Sequence, residues 1–246
     1  MAIPGLYKFC DPWHASGTVW LYSDPHFGDS DLPDHPSAEE QVKMINSKCG
    51  KNDTLIILGD VGDVSYVPKL RARYKILVMG NHDAGRSNYE RHHFYELFDV
   101  NKYTKQEALN EMMKMYPNCK YNIEEIQYLP TEPRHCWYAG ADNRLFDEVY
   151  EGPLMIAEKL ILSHEPVDVP WAFNIHGHVH DLRHKNDKSH FNACAEAINF
   201  TPVNFNQFMK SGYLSHIETI HRETINRATA RARKREKKGG KKNNGY

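Results

Sequence analysis

Three histidines surround a glycine in residues 174–180, "NIHGHVH". Alternate residues of a strand share one face, so His176, His178 and His180 would lie on the same side of a regular strand. A glycine within a strand usually marks a bend or a close approach of the backbone to another group. Neutral imidazole is the commonest protein ligand for transition metals. The stretch indicates either a metal site or structural histidines, and the choice depends on partners elsewhere in the chain.

Four other apolar runs end in side chains of similar chemistry. They are "TVWLYSDPHFGD" from residue 18, "TLIILGDVGD" from 54, "KILVMGNHD" from 75 and "KLILSHEP" from 159. Ligands of α/β proteins collect beyond the carboxyl ends of the strands, so five such run ends predict one shared site. The candidate metal ligands are Asp24, His26, Asp60, Asn81, His164, His178 and His180.

The types and number of these ligands predict which ions bind and how many. Mixed imidazole and carboxylate ligands suit Mn, Fe or Zn better than Mg or Ca. Seven ligands exceed the needs of one ion but suit two ions that share a bridging carboxylate. Metal pairs about 3.5–4 Å apart are a common arrangement for phosphoester hydrolysis. We therefore expect two divalent transition-metal ions, with Mn first and Fe, Zn or Ni as alternatives.

Helical segments between the apolar runs predict the elements that position this site. Ser37 and Glu40 form a capping-box pattern at the start of a helix over 37–49. Further helices are expected over 65–73, 104–116, 204–211 and 214–235, and His92–His93 is assigned to a helix as well. Short buried strands that alternate with helices predict an α/β fold with partly parallel sheets.

Composition and charge predict one main domain with a basic tail. The 246 residues, 40% of them hydrophobic, suffice for a single core, which we expect over 1–215 with a C-terminal helix and tail over 216–246. Residues 227–242 carry nine Lys or Arg and one Glu, so the rest of the chain has a net charge of −9. The tail from Arg227 to Lys242 either binds nucleic-acid phosphates or only aids solubility.

Three features of the sequence indicate the cellular compartment: its five cysteines, its apolar runs and its N-terminus. The cysteines are scattered and lack CxxC spacing, which is typical of reduced thiols in a cytosolic protein. No apolar run approaches the length of a membrane span, and the N-terminus lacks the layout of a signal peptide. We therefore expect a cytoplasmic protein with no membrane partner.

The order of the five blocks resembles that of the calcineurin-like metallophosphoesterases. The blocks D-x-H, G-D-x-x-D, G-N-H-D, H and G-H-x-H follow one another between residues 24 and 180. The chain is most similar to small bacterial and phage members, through "SDPHFG", "FDEVYEGPLMI" and "NFTPV". The resemblance implies a four-layer α/β/β/α sandwich with a dinuclear site at the strand ends. For a phage-encoded chain, the compartment would be the host cytoplasm.

The resemblance also implies a role for each matching residue. One ion would be held by Asp24, His26 and His180, the other by Asn81, His164 and His178, with Asp60 bridging both. A metal-bridging hydroxide would attack phosphorus. His82 would protonate the leaving-group oxygen, and either Asp63 or Asp83 would orient it. Asp29 stands where similar chains often have histidine.

Two features of the motifs narrow the expected substrate. "GDVGDV" lacks the Arg-Gly that follows this block in serine/threonine protein phosphatases, and His82 provides an acid for a poor leaving group. We expect a phosphodiesterase that acts on nucleotides or nucleic acid. The alternatives are a phosphomonoesterase on a small phosphorylated substrate, or a catalytically silent scaffold or nucleic-acid-binding member. Arg86 would bind a substrate phosphate or form a surface ion pair.

Overall fold

The computed structural model describes residues 17–32, 34–127, 135–156, 159–180, 186–217 and 227–234. The strands are β1 Val19–Tyr22, β2 Thr54–Ile57, β3 Tyr74–Val78, β4 His92–Asp99, β5 Lys120–Ile126, β6 Cys136–Asn143, β7 Glu148–Tyr150, β8 Leu154–Ile156, β9 Leu160–Leu162, β10 Phe173–His176, β11 His190–Asn192 and β12 Val203–Asn204. The helices are α1 Ala38–Lys48, α2 Ser87–Glu90, α3 Lys105–Met115 and α4 Phe205–Lys210, with a 3₁₀-helix at Val64–Lys69.

Helices α1 and α3 begin at capping boxes. The Ser37 hydroxyl accepts a hydrogen bond from the Glu40 backbone N–H, and the Glu40 carboxylate accepts one from the Ser37 backbone. Thr104 and Glu107 make the same reciprocal pair before α3. These bonds satisfy N–H groups that the first turn of a helix leaves without partners. The helices predicted over 37–49 and 104–116 are confirmed.

The predicted parallel strands form two sheets. The first has the order β12-β1-β2-β3-β7, in which β1, β2, β3 and β7 run parallel. The second has the order β11-β10-β9-β8, in which β9, β10 and β11 run parallel. An isolated bridge between Ser23 and Cys194 joins the chain just beyond β1 to the chain just beyond β11. The carboxyl ends of the two parallel sets therefore meet.

The two sheets pack face to face. Ile56 and Ile76 of the first sheet share a buried cluster with Leu162 and Phe173 of the second. On its other side the first sheet is covered by α1 and by a third sheet, through a separate buried cluster. Successive residues of a strand, such as Leu55 and Ile56, belong to opposite clusters, because their side chains point to opposite faces of the sheet. The α/β class with packed sheets is confirmed.

The third sheet was not predicted. It is antiparallel, with the order β4-β6-β5, and it includes the His92–His93 pair that the sequence analysis assigned to a helix. That assignment is wrong. The buried residues of β4 are Phe94 and Phe98, and a spacing of four places two residues on one face of a helix and also on one face of a strand. Packing of α3 against β5 and β6 accompanies the strand form.

The C-terminal region agrees in part with the predicted helices. The helix expected over 204–211 is α4, whereas residues 214–216, at the start of the longer helix predicted over 214–235, form a turn. Residues 227–234 are helical with exposed side chains, and 218–226 and 235–246 lie outside the described residues. Ile217 is buried in the core between the two large sheets. Within the described part of the chain, no helix is long and apolar enough to cross a membrane.

Candidate metal centre

The seven predicted ligands come together where the parallel strands end. Two clusters have ligand atoms that all lie within 4.8 Å of one another. One consists of Asp24, His26 and His180, and the other of Asp60, His164 and His178. Asn81 joins the second cluster, because its Oδ1 lies 2.8 Å from His164 Nε2 and 3.0 Å from His178 Nδ1.

Asp60 lies between the two clusters. Its Oδ2 is 3.5 Å from His26 Nε2 and 3.3 Å from His164 Nε2. Asp60 Oδ2 and His26 Nε2 are buried, and neither has a hydrogen-bond partner among the described residues. An unsatisfied buried polar atom is costly and calls for an explanation. Two atoms each about 2.1 Å from one ion, at a tetrahedral angle, lie about 3.4 Å apart. The spacing and the missing partners therefore fit metal ions on both sides of Asp60.

Asp24 is fixed by several donors. It is fully buried, and its Oδ2 accepts hydrogen bonds from the Ser23 hydroxyl, from Cys194 Sγ and from the His178 backbone N–H. Its Oδ1 lies 3.7 Å from His180 Nε2. Burial raises the pKa of the Cys194 thiol, and the charge of Asp24 raises it further. The thiol therefore acts as a neutral donor to Asp24.

The proton positions on His164 follow from its partners. His164 Nδ1 lies 2.8 Å from the Leu58 carbonyl oxygen, which can only accept a hydrogen bond. Nδ1 therefore carries a proton, and in the neutral ring the lone pair of Nε2 faces Asn81 and His178. Burial by itself lowers the pKa of His164, but Asp60 and Asp24 raise it to about 9. In this buried pocket, a proton on His164 occupies the space where a metal ion would bind.

Many of the candidate ligands have an unusual backbone conformation. Eight described residues other than glycine have positive φ. Five of these are candidate ligands: Asp24 at 54°, His26 at 41°, Asp60 at 53°, His178 at 70° and His180 at 43°. Such conformations cost on the order of 1–3 kcal/mol each and persist where the surrounding structure enforces them, often at functional sites. These conformations therefore lower the stability of the fold, and they direct the five side chains into the two clusters.

The surroundings of Gly177 explain why the histidine-rich stretch contains a glycine at this position. A Cβ at this position would lie 1.9 Å from Ser23 Oγ and 2.3 Å from Asp24 Oδ2. Only a residue without a side chain lets the backbone of this loop approach Asp24 closely. Gly80 is similar, because a Cβ there would lie 2.2 Å from Asp60 Oδ1.

The three residues considered for proton transfer occupy different environments. His82 is exposed, its backbone N–H donates to Asp60 Oδ1 at 2.9 Å, and its ring centroid lies 5.6 Å from that of His26. Asp63 caps the 3₁₀-helix by accepting a hydrogen bond from the Ser65 N–H at 2.9 Å. Both carboxylate oxygens of Asp83 accept hydrogen bonds.

Asp83 holds the loops that carry the ligands. Its Oδ2 accepts from the backbone N–H groups of Gly80 and Asp60 at 2.7 and 3.0 Å. Its Oδ1 accepts from the Val61 N–H at 3.0 Å and from the Tyr89 hydroxyl at 2.8 Å. These four bonds give Asp83 a structural part, whichever carboxylate orients His82.

Two further residues that the sequence drew attention to, Arg86 and His176, lie apart from the clusters. Arg86 Nε donates to Glu90 at 2.7 Å in an exposed ion pair, which is the second of the two alternatives drawn from the sequence. His176 is buried on β10, with Nδ1 2.9 Å from the Gly177 carbonyl oxygen and its ring 6.0 Å from that of His190. It belongs to neither of the two clusters formed by the predicted ligands.

Sequence reasoning missed His35 and Glu196. Glu196 Oε1 lies 2.6 Å from His35 Nε2 and 2.8 Å from His180 Nδ1. Burial alone raises the pKa of Glu196, but the hydrogen bonds from His180 and His35 lower it below its usual value. Glu196 follows β11, another parallel strand of the second sheet, so the rule that located the other ligands also applied here. Asp29 is a further acidic residue beside a candidate ligand, because its Oδ2 lies 3.3 Å from His26 Nδ1.

Fold and side chains together define a metal-binding α/β protein whose ligands lie at the carboxyl ends of two packed sheets. The family model described as calcineurin-like phosphoesterase matches residues 17–196, and the chain belongs to this family. The match ends at Glu196. A search of curated proteins found no match to this chain. A crystal structure of a protein of unknown function from Aquifex aeolicus matches with a TM-score of 0.46 and 21% identity, over 78% of this chain and 98% of that chain.

Proposed function

We propose that the protein is a phosphodiesterase that uses two divalent transition-metal ions, with Mn the first candidate. The observation that carries the dinuclear site is the pair of buried atoms without partners among the described residues, Asp60 Oδ2 and His26 Nε2, with His164 Nε2 3.3 Å from the same Asp60 oxygen. Family membership already makes the chain a metal-dependent phosphoester hydrolase. The diester preference and the roles of individual residues are our proposal.

The two clusters could supply ligands for one ion each. Asp24, His26 and His180 would hold the first ion, Asn81, His164 and His178 would hold the second, and Asp60 would contribute to both. When bound, such a pair of ions supplies an activated water molecule and neutralises charge that develops on the phosphoryl oxygens. Because Leu58 and Glu196 accept from the Nδ1 atoms of His164 and His180, both rings direct Nε2 toward the centre.

His82 has the exposure and position expected of a proton donor. It lies at the rim, next to His26 and tethered through its backbone to Asp60. In the proposed reaction its ring gives a proton to the departing alkoxide oxygen, and Asp63 orients the ring. Arg86 is the candidate for a substrate phosphate contact, which would require it to leave Glu90.

A cavity next to the second cluster supports a diester. It has a volume of about 280 Å³ and is lined in part by Asn81, His164, Met79, Pro153 and Val167. A phosphodiester carries two organic groups, and a monoester carries one. A partly apolar cavity beside the ligands gives the additional group a place to bind.

The basic tail supports nucleic acid as the substrate class. Its described part, 227–234, is helical and exposed, and it is attached to a body of net charge −9. Cations that neutralise phosphates make binding salt-dependent, with a log–log slope of roughly 0.7–0.9 per contact. Deletion of 227–246 is therefore expected to raise KM for long nucleic acid at low salt without changing hydrolysis of a small diester.

The proposal is tested on protein freed of metal with a chelator and then reloaded. We expect close to two Mn²⁺ per chain, and kcat/KM for bis-p-nitrophenyl phosphate above that for p-nitrophenyl phosphate. Full activity with one ion would contradict the dinuclear centre. A higher kcat/KM for the monoester would favour the phosphomonoesterase, and two bound ions without turnover of either ester would favour the silent scaffold.

A further inference from the structure

Glu196 connects two histidines through a single oxygen. Its Oε1 accepts from His35 Nε2 at 2.6 Å and from His180 Nδ1 at 2.8 Å. The side chain of His35 is 7% exposed and that of Glu196 is 26% exposed. Neither residue belongs to the set of seven ligands, although these two residues and His180 form a third group that would fit a metal ion.

His180 contacts Glu196 through Nδ1, the nitrogen that does not face the first cluster. Nitrogen–oxygen distances of 2.6 and 2.8 Å are typical of charge-assisted hydrogen bonds. The other nitrogen of His180, Nε2, faces Asp24 of the first cluster at 3.7 Å, so His180 can bind an ion there while Nδ1 remains bonded to Glu196. Glu196 is therefore better placed to hold His180 than to hold a third ion.

A strained turn at Asn199 and Phe200 follows Glu196 and supports the position of its carboxylate. Asn199 and Phe200 both have positive φ, at 50° and 52°, and the second value is unusual for a bulky residue. The turn returns the Phe200 N–H to the Ala195 carbonyl at 2.7 Å. It also packs the Phe200 ring edge-on against His35, with centroids 5.1 Å apart. The strained turn thus restricts the His35 ring through its contact with Phe200, and His35 in turn holds Glu196 by a hydrogen bond.

The proton on His180 follows from this arrangement. An ionised carboxylate can only accept, so Nδ1 of His180 donates to Glu196, and Nε2 faces Asp24 at 3.7 Å. Carboxylate partners of this kind fix the tautomer and orientation of metal-binding histidines and raise their basicity. The corresponding partner of His164 in the other cluster is the backbone carbonyl of Leu58.

We propose that Glu196, held by His35, is a positioning residue that sets the metal affinity of the cluster of Asp24, His26 and His180, and leaves the other cluster unaffected. The inference rests on the proposed dinuclear function. It goes further by assigning a different hydrogen-bond partner to the histidine ligand of each ion: the Leu58 carbonyl for His164 and the Glu196 carboxylate for His180. Only the second partner can be removed by changing a side chain.

The experiment measures Mn²⁺ binding to metal-free protein by calorimetry, with electron paramagnetic resonance to detect coupled Mn pairs. Glu196→Gln is expected to weaken one of the two binding steps by roughly 10–100-fold and to leave the other unchanged. Glu196→Ala should weaken that step further, because Gln keeps an acceptor oxygen. His35→Phe, which can still pack on Phe200, should have a smaller effect on the same step.

Glu148→Gln is the matched control. Glu148 is also half-buried and accepts a hydrogen bond, from the Tyr74 hydroxyl at 2.7 Å, but it lies on β7 at the edge of the first sheet. Both steps should be unchanged in this variant. Thermal unfolding of the metal-free variants separates loss of affinity from loss of the fold.

Each outcome bears on one of the two proposals. If wild-type protein binds two ions and Glu196→Gln binds both as tightly, the positioning role is wrong. Equal weakening of both steps would also contradict it. Three ions in the wild type and two in Glu196→Gln would make Glu196 a ligand instead. A wild type that binds fewer than two ions would overturn the dinuclear function itself, and would be recognised before any variant is measured.

Discussion

The two halves of the proposed metal centre, the cluster of Asp24, His26 and His180 and the cluster of Asp60, His164 and His178, are supported in different ways. In one half, the outer nitrogen of His164 is held by the carbonyl of Leu58, an atom of the backbone beside β2. In the other half, the outer nitrogen of His180 is held by the side chain of Glu196, which depends on His35 and on a strained turn. The backbone partner is retained in any variant, whereas the carboxylate partner can be removed. The comparison therefore predicts that affinity for one ion can be tuned more readily than affinity for the other.

The largest effect is expected at the residue that both halves share. Asp60→Asn removes the charge between His26 and His164, so both ions should bind weakly and hydrolysis should fall to the level of chelator-treated protein. Metal content per chain and turnover measure this, with Asp142→Asn on β6 as the control. Retention of two tightly bound ions would rule out the bridging role.

A sharper test of the comparison uses two histidines of one loop. His178 and His180 are two residues apart but belong to different clusters. His178→Asn and His180→Asn should each keep one ion and lose the other, and both should lose the signal of a coupled Mn pair. If both variants lose the same ion, the division into two halves is incorrect.

His82 lies outside both halves and should affect the reaction without affecting metal binding. His82→Ala is expected to slow hydrolysis by roughly 10²–10⁴ when the leaving group is a poor alkoxide such as methoxide. The loss should be much smaller for p-nitrophenolate, which needs little protonation. Equal losses with both esters, or a loss of metal, would show that His82 supports the site instead.

Gly177 tests how closely the loop that carries His178 and His180 must approach Asp24. Gly177→Ala places a methyl group against Ser23 and Asp24 and is expected to cost about 1–3 kcal/mol of stability. The melting temperature should fall by about 2–4 °C for each kcal/mol in a chain of this size. Gly152→Ala, with nothing within 4 Å of its added Cβ, should not change the melting temperature. Equal melting temperatures for the two variants would mean that the loop yields.

The smallest effect concerns protons that replace metal in the half that contains His164. In metal-free protein the pKa of His164 is raised from 6.5 to about 9. Its contribution to stability is therefore fully present below its unfolded pKa and is lost as the pH rises through the folded one. Metal-free protein should lose stability between about pH 6.5 and 9 in urea unfolding, and His164→Gln should remove this part of the dependence. Metal affinity should rise over the same range, because ions compete with protons.

Local patterns in the sequence were sufficient to predict much of the fold. Ser37 with Glu40 marks a capping box that acts within four residues, so α1 could be located closely. The apolar runs that became β1, β2, β3, β9 and β10 were recognised for the same reason. The helix predicted over 104–116 was also found, as α3, although its capping box at Thr104 and Glu107 was recognised only in the structure. The third sheet could not be recognised, because the spacing of Phe94 and Phe98 suits a helix and a strand equally. Only the pairing of β4 with β6 distinguishes the two.

The sequence by itself determined which residue types reach the centre. Each block places an acid, amide or imidazole at the end of a buried strand, and parallel strands bring their ends to one edge whatever the details of packing. Tertiary structure alone decided the partners beyond that first set. Glu196 meets His35 across 161 positions of chain, and Asp83 bonds to the loop of Asp60 and not to His82. Such pairings depend on how the loops fold over one another, and therefore on packing that no local spacing encodes.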